Sequence, residues 1–361
     1  MNRRLSALLL LAAGAGAQIN QDTPLSAGPT GLQPASLLIF PLVDSRPGTE
    51  TMVAVTNVNT DRSIVPGTGI ERGVVRARFV YVILGTSGCS LFDFEVVLSP
   101  GDTFSATARD QTRTSGDLRG WLYVLATDEQ TGQPIDFDTP LPNRSGPTGL
   151  IGEELVVQGA PETYLYALPA ISFQSRAVRG ATPATNFQGY LFTDAIENGG
   201  NGDGEADFNG VEYEKFPRVL SAPLFLEQTT PALKDELVLF TPITFFDSRV
   251  DLNSNFYNNN ESPRSRTFSF HCWTRMQLRD ITAFVQNLGG IPSELNTGWF
   301  WIDPYALFWN RRFDSDPPVH GAFLHAVDTP SSDYWAATLL WGESEVNPVP
   351  GLFGDRGNGL P

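Results

Sequence analysis

The chain has 361 residues, long enough for one large hydrophobic core or two smaller ones, and carries a formal net charge of −16. An acidic surface repels phosphate backbones and anionic lipid heads, so no nucleic acid partner is expected. Glycine (34) and proline (27) are plentiful, as in loop-rich β proteins, and two cysteines are too few for a disulfide scaffold.

The chain opens on "MNRRLSALLLLAAGAGAQ". Arg3 and Arg4 precede a short apolar core, and Ala15-Gly16-Ala17 fits a small-x-small cleavage site. Residues 1–17 therefore read as a secretory signal, and 18–35 as a linker. The apolar run falls short of the roughly 20 residues that span a bilayer. The mature chain is expected to be secreted or periplasmic, with no membrane insertion.

Strand signals follow. In "GVVRARFVYVIL", Val75, Ala77, Phe79, Tyr81 and Ile83 alternate with Arg76 and Arg78, the mark of a half-buried strand. "LFDFEVVL" repeats the pattern with Phe92, Phe94, Val96 and Leu98, and the Gly-Thr-Ser-Gly link between the runs predicts a hairpin. "SPGD" supplies turn chemistry. "WLYVLA" is nearly all apolar, as a central strand covered on both faces would be.

The stretch "RGWLYVLATD" has an echo in "TGWFWIDP". The echo extends: residues 36–61 pair with 236–261, "VVRARFVYV" with "RTFSFHCW", and the segments after each Gly-Trp strand pair loosely. This order of features predicts an all-β fold of two tandem β-sandwich-like domains from an internal duplication. The first covers 36–178 and the second 236–346; an inserted loop or hairpin region fills 179–235, and 347–361 form a tail. Trp121 and Trp299 are expected to be equivalent core residues. Residues 36–61, with their "VTNVNTD" ending, resemble uncharacterised secreted bacterial β-sandwich proteins. That resemblance brings no activity with it.

Candidate sites are few. Asp203, Glu205, Asp207 and Asn209 alternate in a Gly-rich acidic loop, the oxygen chemistry calcium prefers. An EF-hand needs a Glu at position 12, and the best register puts Phe216 there, so a solvated hairpin turn is favoured over a calcium site. His320 and His325 are five apart, on opposite faces of a strand, which is not a zinc pattern. No G-x-S-x-G nucleophile elbow occurs, and Cys89 sits beside acidic residues that would not activate a thiolate. Catalytic residues are therefore none. Cys89 and Cys272 read equally well as a disulfide or as separate thiols, since spacing alone does not place their Cα atoms.

The aromatic and acidic run at 299–316 offers Trp301, Asp303, Trp309 and Asp314 as a sugar platform, though core or interdomain packing explains its tryptophans better. The function expected is that of an exported, non-enzymatic structural or ligand-binding protein, with a protein or glycan ligand. The alternative is a carbohydrate-binding or carbohydrate-hydrolysing protein using that run. No cofactor other than calcium is in view.

Overall fold

Alternating side chains become strand through most of the computed structural model. It describes residues 34–69, 71–85, 88–112, 117–129, 149–159, 164–174, 191–192, 206–207, 217, 219–226, 232–242, 249–258, 263–278, 296–303, 319–328 and 333–343. The fold is all-β, with four antiparallel sheets and one two-residue parallel pairing.

The first unit holds β1 (Leu37–Asp44), β2 (Thr49–Asn57), β3 (Val75–Gly85), β4 (Gly88–Leu98), β5 (Thr103–Thr107), the short helix α1 (Ala108–Thr112), β6 (Arg119–Asp128), β7 (Leu150–Gln158), β8 (Tyr164–Pro169) and β9 (Ile171–Phe173). Its five-stranded sheet has the order β4-β3-β6-β1-β9, and its four-stranded sheet β5-β2-β7-β8. Between the units, β10 (Leu191–Phe192) pairs with β11 (Ala206–Asp207).

The second unit holds β12 (Val219–Leu226), β13 (Ala232–Phe240), β14 (Arg249–Asn258), β15 (Pro263–His271), β16 (Trp273–Gln277), β17 (Asn296–Asp303), β18 (His320–Asp328), β19 (Asp333–Leu339) and β20 (Trp341–Glu343). Its sheets run β15-β14-β17-β12-β20 and β16-β13-β18-β19. The two strand orders are the same, with β12 in the position of β1, β13 in that of β2, and so on to β20 and β9.

This differs from the strand pairing read in the sequence. The echo of 36–61 in 236–261 sets β1 against β13; by sheet position β1 corresponds to β12. β12 lies within the segment 179–235 expected as an insertion, yet it pairs with β17 and β20, and the expected boundary at 236 falls inside β13. Pro223 lies inside the apolar run of β12, where a proline is unusual for a strand. The strand tolerates it because β20 pairs only with residues 219–221, so one side of β12 has no ladder to satisfy beyond them. Pro41 in β1 has the same setting: β9 pairs only with residues 37–39, and the β1–β6 register shifts between Phe40 and Val43.

Each unit is a sandwich with its own core. Leu38, Phe40, Val53, Val55, Phe79, Tyr81, Leu122 and Val124 fill the first, and Leu237, Leu239, Leu252, Phe300, Ile302 and Phe323 fill the second. A third apolar cluster joins the units: Leu37, Ile39, Val80, Val82, Trp121, Tyr123 and Leu125 meet Val238, Phe240, Trp273, Ala322 and Leu324. The near-continuous apolar run of β6 is explained by this arrangement. Its even-numbered residues face the first core and its odd-numbered ones face the second unit.

The Gly-Trp strands β6 and β17 hold the same sheet position, but neither tryptophan lies in its own sandwich interior. Leu122 and Phe300 point inward; Trp121 and Trp299 point outward. Gly120 has no room for a side chain, because a Cβ there would lie 1.9 Å from the Val82 carbonyl oxygen.

Candidate functional site

The outer face of the sheet β5-β2-β7-β8 is unusually apolar. Along β2, Val53 and Val55 turn inward, so Met52 and Ala54 turn outward. Met52 is paired with Leu155 on β7, and Leu155 with Ala167 on β8; Val157 is paired with Leu165. Met52 is 41% exposed, Val157 36% and Leu165 60%, and all three share this face. A solvated sheet face normally alternates to polar residues, and a contiguous apolar patch marks a contact surface. Thr103 and Ser105 on the edge strand β5 border it, and Glu153 on the inner strand β7 stands within it.

The outer face of the sheet β15-β14-β17-β12-β20 is aromatic and polar. Tyr257 stacks on Trp299 with centroids 4.2 Å apart and planes within 8°. Trp301 is two residues along β17, opposite Asn255 on β14, and Asp303 is opposite Asn253. The structure therefore brings Trp301 and Asp303 onto one strand, while Trp309 and Asp314 lie outside the described residues. Of the acidic loop, Asp207 ends β11; Asp203, Glu205 and Asn209 lie outside the described residues. Among the described residues no group of three His, Cys, Asp or Glu is placed to hold a metal ion, and no helix is long and apolar enough to cross a membrane.

Polar bonds tie the units around their shared cluster. The Asp44 carboxylate is fully buried between two guanidinium groups, Arg46 at 2.6 Å and Arg275 at 2.8 Å. Arg275 also donates to Glu236 at 2.6 Å. The Trp273 indole N–H donates to the Pro41 carbonyl at 2.9 Å. Cys89 and Cys272 form a disulfide across the same junction, with Cα atoms 6.5 Å apart.

Glu154 and His320 are buried apart from these bonds. The Glu154 carboxyl is fully buried, and that burial raises its pKa well above the usual range, opposed only in part by a weak contact with the Leu42 backbone. His320 begins β18; its Nδ1 accepts from the Gly321 N–H at 2.8 Å, and its Nε2 makes no hydrogen bond among the described residues. Burial lowers its pKa to about 4, so the folded chain keeps the ring neutral.

That shift predicts an acid-sensitive step. An unfolded histidine titrates at about 6.5. Between that pH and about 4 the unfolded chain binds the extra proton, so stability present above pH 6.5 is lost as pH falls and the loss levels off below 4. The ceiling is about 3 kcal/mol, at 1.36 kcal/mol per pKa unit. Glu154, its pKa raised, acts in the opposite sense in both proteins, so the test is the difference: in urea melts at pH 7.5 and 4.5 the change on acidification should be less favourable in the native chain than in His320→Asn, and equal changes in both would remove His320 as the cause.

Sequence reasoning missed the Met52–Leu165 face. The signal was present: "MVAV" and "LVV" are apolar at both parities, whereas a strand with one wet face alternates.

No family model matches the sequence, and no curated protein matches it. A solved structure, that of Thermotoga maritima 1070, is similar at 8% identity over 38% of this chain and 95% of its own, with a TM-score of 0.25. A score that low carries neither fold nor function across.

Proposed function

We propose that this chain is an exported, non-enzymatic structural protein that works by presenting sheet faces to protein partners at or outside the cell envelope. The observation that carries the reading is the exposed apolar face of Met52, Val157 and Leu165. Export is supported by the leader-like first 17 residues and by the Cys89–Cys272 disulfide, which persists in oxidising compartments. Descent of the two units from one duplicated domain belongs to the same reading and is supported by their identical strand orders.

The test is site-specific photo-crosslinking in the cells that make the protein. A photo-reactive residue at position 165 is expected to give covalent protein adducts. One at position 64, where Ile64 is 55% exposed but lies off this face, is not. No adduct at 165, or equal adducts at both, overturns the reading.

A second reading has one observation in its favour. The stacked Tyr257–Trp299 pair, with Trp301, Asn253 and Asn255 beside it, offers rings and amides of the kind that bind sugar faces. A glycan-array signal that disappears in Trp301→Ala would move the assignment to carbohydrate binding.

A further inference from the structure

Three methionines and two cysteines hold all the sulfur in the chain. Met1 belongs to the leader-like segment. Cys89 and Cys272 are already joined as a disulfide. Met276 is half-buried and packs against the second core, paired with the buried Leu237. Met52 is 41% exposed, so it is the thioether that solvent reaches among the described residues.

The place of that sulfur gives it consequence. Met52 sits on β2, an inner strand of the sheet β5-β2-β7-β8, so it stands within the apolar face and not at its edge. Across the ladder it pairs with Thr107 on β5 and Leu155 on β7, and Leu155 pairs with Ala167 on β8. Val157 and Leu165 form the next row of the same face. A thioether suits such a surface. It is apolar, polarisable and unbranched, and it adapts to whatever packs on it. A sulfoxide does not suit it. The added oxygen makes the side chain polar, and covering it with apolar groups carries the cost of any buried acceptor without a donor.

We propose that Met52 is a redox modification site: a peroxide converts it to the sulfoxide, and this turns off docking on the Met52–Leu165 face. The proposal rests on the structural reading above and adds its regulation. In the step, the sulfur lone pair attacks one oxygen of hydrogen peroxide. An S–O bond forms as the O–O bond breaks. Sulfur is oxidised by two electrons, and the other oxygen leaves as water with both hydrogens. Methionine sulfoxide reductases reverse the change, so the face is switched and not destroyed. An exported chain meets such oxidants without the thiol pools of the cytoplasm around it.

Two measurements test it. In the first, the purified mature protein is treated with limiting hydrogen peroxide and its peptides are weighed over time. The peptide holding Met52 is expected to gain one oxygen, about 16 Da, well before the peptide holding Met276. Equal rates at the two, or Met276 first, overturn the site. In the second, photo-crosslinking at position 165 is repeated in the producing cells after a peroxide pulse. Adducts of the native chain are expected to be lost. Adducts of Met52→Leu, apolar and without sulfur, are expected to persist, and Met52→Gln is expected to give none even without peroxide. Urea melts of both variants keep a folding defect from passing as a lost contact; should Met52→Gln fail to fold, Met52→Leu decides. Adducts of Met52→Leu that fall as far as those of the native chain overturn the proposal, as do native adducts that survive full conversion of Met52. If position 165 gives no adduct before peroxide, the structural reading falls and this switch with it. If adducts form and ignore the oxidation state of Met52, only the switch falls.

Discussion

Serine at positions 89 and 272 together is expected to lower unfolding stability by up to about 5 kcal/mol, the loop-closure value for a cross-link spanning 183 residues. The bridge joins the start of β4 in the first unit to the turn between β15 and β16 in the second. Once it is cut, unfolding one unit no longer holds the other nearby, so the unfolded ensemble gains most of its freedom from inter-unit separation. Packed contacts across the junction remain, and the observed loss should fall somewhat below that ceiling. Guanidinium melts of the double variant against the native chain measure it. A midpoint unmoved by the substitutions would mean the bridge does not restrain the unfolded chain.

Trp121→Ala is expected to cost about 4 to 5 kcal/mol, the upper part of the range for a buried aromatic cut to alanine. Trp121 is fully buried, and its ring touches Tyr123 at 5.4 Å and Phe240 at 4.9 Å. Its indole N–H makes no hydrogen bond among the described residues, so the loss comes from apolar contact and the cavity left between the units. Trp121→Phe should recover most of it. Trp299→Ala, in the same sheet slot but half-buried, should cost no more than about 1 to 2 kcal/mol. Equal losses at 121 and 299 would contradict the placement of one tryptophan in the junction and the other on an outer face.

The second prediction turns on a distinction that periodicity does not carry. "GWLYVL" and "GWFWID" read alike, and both became strands in the same sheet position. Alternation assigns Trp121 and Trp299 to one side of their strands. It does not say whether that side meets a core, another unit or solvent. For this reason the expected core role holds for Trp121, at the junction of the units, and not for Trp299. Likewise Trp301 and Asp303 were legible as neighbours at period two, while the exposed face of Met52, Val157 and Leu165 needed three strands brought together from distant parts of the chain. The N-terminal strand of the second unit, β12, lies in the segment that reads as an insertion, because its partners β17 and β20 come from far along the chain.

Local chemistry by itself determined the strands of the first unit, the hairpin at 85–88 and the two-sided burial of β6, because side-chain alternation and turn residues act over a few positions. Only the tertiary structure decided which outward faces meet. The Cys89–Cys272 bridge, the buried Asp44 between Arg46 and Arg275, and the Trp121–Phe240 stack each join residues that no short-range pattern relates. Their pairing follows from the stacking of whole sheets, and sheets stack according to total buried apolar area, a property of the folded layers and not of any one segment.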